Sequence, residues 1–155
     1  MMVDIIAPIQ IDELYLVNSE FRIASSPAPN MVLQLNEEHQ YDNYQTNETE
    51  MTYELSMTMS VNADLVNEEE KDDVRVHAFC QVFIEVSVPK NIDESDADPL
   101  EYLKANALSM AYSHARSCIM MNAGLSPIST FVLPAILPYS ILKNDDDQNQ
   151  DNNSI

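Results

Sequence analysis

At 155 residues the chain has the length of one domain, and 45% apolar residues can furnish a core. Seven basic residues against 26 acidic ones leave a net charge of −19, which repels nucleic-acid phosphates and anionic membranes and favours basic or apolar polypeptides as partners. No window reaches the ~18 apolar residues of a membrane span, and no basic region precedes an apolar run at the start, so a soluble, cytoplasmic chain is expected. Cys80 and Cys118 fall within apolar patterns and read as small buried hydrophobes, not as a disulfide or metal pair.

Ile9 to Ile23 alternates and predicts a first long strand, with Ile9, Ile11, Tyr15, Val17, Phe21 and Ile23 on its buried face. By that parity Leu14 and Leu16 point to the opposite, outer face. Ser25 to Asn30 is a turn rich in Ser and Pro, followed by a short alternating piece, Met31 to Leu35. Asn36 to Glu50 carries five acids and no Lys or Arg and reads as a loop.

The strongest pattern comes next. Odd positions from Met51 to Leu65 are apolar, and even ones from Thr52 to Asp64 are polar. From Val74 to Val88 every even position is apolar. Strict period two means one buried face and one wet face, and the short charged link Asn67 to Asp73 makes the pair a hairpin. Phe79 and Phe83 break the pattern by standing on the wet face.

Asp98 suits a helix cap and Pro99 the first helical position. From there to Asn122 apolar residues recur at helical spacing around much of the circumference, so cover from a sheet and from a second copy is expected. Gly124, the only glycine, reads as the helix stop. Leu125 to Leu142 is apolar but interrupted by Pro127, Pro134 and Pro138, an extended crossover. The expected organisation is one domain over residues 1–143 and a disordered acidic tail over 144–155.

Strand, acidic stretch, hairpin, long helix and Pro-rich crossover, in this order, resemble the SecB family of export chaperones. The resemblance runs from Ile9 to Leu142. It is carried by Tyr15 and Phe21, the Ser-Ser-Pro-Ala-Pro turn, Tyr53-Glu54-Leu55, Phe79-Cys80, Ala115-Arg116-Ser117-Cys118-Ile119, Gly124 and the Pro127–Pro134 segment. It implies an α+β fold, a four-stranded antiparallel sheet against a long helix, assembling as a dimer of dimers. It further implies a homotetrameric holdase that keeps unfolded precursors translocation-competent and hands them to the SecA motor ATPase. The family's motor docks on the outer sheet face through acids; the matching positions here are Asn18, Arg22 and Gln81, beside Phe79 and Glu54. Two amides and an arginine thus replace acids, and Pro138 with the following NDDD leaves little room for the family's C-terminal helix. Some SecB-like proteins instead guard an antitoxin against aggregation, which stands as the alternative.

For client binding, the apolar candidates are Leu33 and Leu35 from the short strand, and Ile128, Phe131, Val132, Leu133, Ile136 and Leu137 from the crossover. His39, His77 and His114 are scattered, and no spaced pair of acids suggests acid–base work, so no catalytic site, cofactor or metal is expected. An acidic decoy for a nucleic-acid-binding protein is a further, weaker reading, because it leaves the apolar crossover unexplained.

Overall fold

The alternation of the two long hairpin segments gives them coincident apolar faces. In the computed structural model, which describes residues 9–25, 30–90, 98–124 and 133–135, they are β3 (Thr52–Asn67) and β4 (Val74–Pro89). β1 (Gln10–Ile23) pairs with the free side of β4, and β2 (Met31–Asn47) with the free side of β3. All pairings are antiparallel, in the order β1-β4-β3-β2, so the two strands that come first in the chain form the edges. With one long helix, α1 (Pro99–Gly124), the architecture is the expected α+β one.

Leu55, Met57, Met59, Val61 and Ala63 stand opposite Val86, Ile84, Val82, Cys80 and Ala78, and all of them are buried. Each large side chain in this double row contributes about 1.5–3 kcal/mol by leaving water. α1 covers it with Leu103, Ala107, Ala111, Ala115, Ile119 and Ala123, one residue per turn, and with Leu108 and Tyr112 beside them. The alanines let the helix backbone sit close to the strands. Its start follows the sequence signal: Asp98 Oδ1 accepts from the Leu100 amide at 3.1 Å. Its end does not, because Gly124 is the last helical residue and lacks the positive φ of a glycine stop.

Two further expectations are corrected. The stretch Asn36–Glu50 is no loop: β2 runs unbroken to Asn47, and only the turn 48–51 separates it from β3. In β1 the register shifts twice, between Ile11 and Glu13 and between Leu16 and Asn18. Each bulge inserts a residue and reverses the parity. Leu14 and Leu16 therefore stand beside Ile84 and Val82 on the helix side, whereas Tyr15 faces outward beside Phe83. Beyond the second bulge parity returns, with Phe21 beside Ala78 inside and Arg22 beside His77 outside. Most of the crossover 125–142, and the tail 144–155 that bounds the expected domain, lie outside the described residues.

Candidate functional site

α1 lies across β4 and β3 and touches β1, leaving β2 beyond its flank. The helix-side row of β2 is Met31, Leu33, Leu35, Glu37, His39 and Tyr41, each only half-buried. It adjoins the deeply buried Met57, Met59, Val61 and Ala63 of β3. Lys104, Leu108, Tyr112 and Arg116 recur every fourth residue and so share one flank of α1. That flank faces β2, because Lys104 Nζ sits 4.9 Å from the centre of the Tyr41 ring. The same flank holds residues 133–135: Tyr112 Oη donates to the Pro134 carbonyl at 2.8 Å, and Arg116 Nε to the Leu133 carbonyl at 3.1 Å. The result is a groove floored by β2 and walled by α1 and its returning chain.

Of the expected client-binding residues, Leu33 and Leu35 come together on this floor and pack against the core. Leu133 is fully buried in the core and fixes the wall from within. Ile128, Phe131, Val132, Ile136 and Leu137 lie outside the described residues. Sequence reasoning missed Glu37, His39, Tyr41 and Lys104. The signal was present for three of them: odd positions 31, 33, 35 and 41 continue one apolar alternation, broken only by the polar pair at 37 and 39.

On the other side of the sheet Asn18 pairs with Gln81, Glu20 with Phe79, and Arg22 with His77, so the expected partner residues do share the outer face. Glu54 joins them there, beside Ser87. Gln45 and Asn47 donate to its carboxylate at 2.9 and 3.0 Å, and these bonds hold its pKa below the usual range. His77 Nδ1 lies 2.7 Å from Asp64 Oδ1, and its Nε2 lies 3.9 Å from Glu20. Tyr15, 50% exposed, stacks on Phe83 with ring centres 5.0 Å apart. Next to this pair Glu13 stands opposite Glu85, whose pKa is raised by burial first and then by Asp12, Glu13 and Glu54. Acids thus stand at both ends of this face: Glu13, Glu54 and Glu85 at one, and Glu20 and Asp64 around His77, beside Arg22, at the other.

Both cysteines are free thiols. Cys80 is buried, and its pKa is pushed up to about 12 by that burial and by the neighbouring Cys118, which makes it an inert core residue. No helix among the described residues is long and apolar enough to cross a membrane.

No family model and no curated protein matches the sequence. The shape does find counterparts, and the fold is that of a solved SecB-like chaperone. One similar structure is that of Mycobacterium tuberculosis Rv1957, a SecB-like chaperone in complex with a ChAD peptide from the Rv1956 HigA1 antitoxin. It has a TM-score of 0.59 and 18% identity, over 85% of this chain and 91% of that one. At that identity the likeness is one of fold. A protein of unknown function from Streptococcus agalactiae matches at a TM-score of 0.41 and 11% identity, over 84% of this chain and 97% of that one.

Proposed function

We propose that this chain is a holdase chaperone that receives unfolded, apolar polypeptide segments in the groove beside α1. The observation that carries the reading is the row Met31, Leu33, Leu35 and Tyr41, contiguous with the core yet left beyond the helix flank. Ile128, Phe131, Val132, Ile136 and Leu137 flank Leu133 in sequence as further apolar candidates, and Leu133 itself is held in the core. The preferred client is an antitoxin-type segment, a reading supported by the antitoxin peptide bound to the SecB-like neighbour.

Magnitudes define how such binding works. Four or five apolar anchors at ~1.5–3 kcal/mol each supply about 10 kcal/mol gross. Association and ordering cost ~4–15 kcal/mol. One groove therefore binds weakly, and firm retention needs one client laid over several equivalent grooves. That requirement favours a cytoplasmic homotetramer, a dimer of dimers. Calorimetry with a reduced, unfolded protein and its folded counterpart tests the reading. Heat released only by the unfolded form is expected; equal signals from both would end it.

Service to protein export is the second reading. It is favoured by the common outward placement of Asn18, Arg22, Glu54, Phe79 and Gln81 on the family's motor-docking face, and opposed by the amides and arginine among them. Purification from native extract separates the two: recovery with a small regulator supports the antitoxin role, and recovery with a SecA-type ATPase supports export.

A further inference from the structure

The two edges of the sheet are built differently. Along β1 the register with β4 shifts twice, and the longest run between shifts is Asn18–Ile23. β2 keeps a single register with β3 from Met31 to Tyr41, with no bulge, Pro or Gly in that run. Among the described residues no strand lies on its other side. In a strand so regular, the N–H and C=O groups of alternate residues face β3, and those of the residues between them face out across the edge. Side-chain exposure alternates just as strictly here, and Met31, Leu33 and Leu35 are half-buried because the sheet ends at β2 while α1 lies across β4 and β3. One more strand at the usual spacing of about 4.8 Å would bond the outward backbone groups and bring its own inward side chains level with that row. A second copy of the chain is a poor source for it. β2 carries Glu37, Glu38 and Asp42 and no Lys or Arg, the whole chain has a charge of −19, and like charges across a strand pair are destabilising. The chain's own crossover is a poor source as well, because Pro127, Pro134 and Pro138 lack the amide that a ladder needs.

We propose that an unfolded client enters as a fifth strand, adding to the sheet edge along Met31–Glu38, so that backbone hydrogen bonds hold it and apolar side chains make the second contact. The inference rests on the holdase reading and states how the groove takes a segment. Backbone groups are the same in every residue except proline, so an edge of this kind accepts unrelated sequences. It rejects folded proteins, whose backbone groups are already paired. Selectivity for unfolded chains then comes from the peptide unit and not from a side-chain code.

The test uses the full chain and three eleven-residue peptides: a parent with leucine at alternate positions, its twin N-methylated on three consecutive central residues, and an all-polar control. The methyl groups leave every leucine in place but remove backbone donors on both sides of the strand, whichever side meets β2. The twin is expected to bind at least about tenfold more weakly than the parent. Residue-resolved amide exchange on the protein gives the second readout. Alternate amides between Met31 and Glu38 should exchange fast in the free chain and become protected when the parent is bound, while those between them stay slow throughout. Equal binding of parent and twin overturns the proposal, and so does unchanged exchange along β2 at saturating parent peptide. Slow exchange of all these amides in the free chain also overturns it, because the edge is then already covered by the chain itself or by a second copy. Failure of the parent to bind more tightly than the polar control strikes instead at the holdase reading itself.

Discussion

Met51 is the one non-glycine residue with a positive φ, 55°, among the described residues. It closes the turn between β2 and β3, its carbonyl accepts from the Lys90 amide at 2.9 Å, and its side chain is 57% exposed. The strained backbone is thus not offset by core packing. Met51→Gly should raise stability by about 0.5–1 kcal/mol, read as a higher denaturant midpoint at constant slope, whereas Met51→Ala should give no such gain. Glu85 presents the opposite kind of cost. An acid whose pKa is raised by folding destabilises the native state when ionised, and the penalty disappears as pH falls through the raised value. Glu85→Gln should therefore stabilise the protein at pH 7 by roughly 0.2–1 kcal/mol, the scale of a like-charge cross-strand pair. The gain should vanish near pH 3; one that is the same at both pH values would show that charge is not the cause. Glu54 behaves inversely. Its lowered pKa contributes stability above the unfolded-state value that is lost on acidification, so Glu54→Gln should weaken the protein at neutral pH only.

At the scale of elements, legibility followed how strictly one face was buried. β3 and β4 are covered by α1 and flanked by strands, so their alternation had to be regular and could be read residue by residue. β1 is an edge strand, and its two bulges reversed parity without any glycine or proline to announce them; Asp12 and Val17 look like ordinary strand residues. β2 went unread past Leu35 because Glu37 and His39 interrupt its apolar row, and its outer positions are Asn, Gln and acids that also suit a loop. The way α1 holds residues 133–135 was not legible, since Tyr112 and Arg116 reach carbonyls that no side-chain pattern encodes. Those bonds place Leu133 in the core, so Leu133→Ala should cost about 2–5 kcal/mol, whereas Tyr112→Phe should cost ~0.5–1.5 kcal/mol at most. Thermal unfolding of both variants checks the order; a larger loss from Tyr112→Phe would mean that the wall is held by its hydrogen bond and not by the buried leucine.

For the molecule as a whole, the distribution of exposed apolar surface matters more than its amount. Ile11, Tyr15, Leu16, Val17 and Ile23, most of the large exposed apolar side chains among the described residues, lie on β1. Among the described residues no strand pairs with the outer side of this edge, and β1 has no lysine or proline to discourage pairing. A chain of charge −19 resists indiscriminate association, so contact between copies, where it forms, is expected at a place where acids give way to apolar residues. β1 meets that condition over its Leu16–Val17 bulge and at Ile23. Assembly there would also multiply grooves, as tight retention of a client demands. Val17→Lys should weaken it, because a two-fold contact between β1 edges sets the new charge against its own copy. Light scattering is expected to give a multiple of the chain mass for the wild type and a smaller multiple for the variant. Affinity for an eleven-residue peptide should stay unchanged, since one groove suffices, while affinity for a long unfolded client should fall by about 10²-fold or more. If both ligands weaken equally, the substitution has damaged the groove. If the wild type is already a monomer, β1 is not an assembly edge, and long clients are held by single grooves alone.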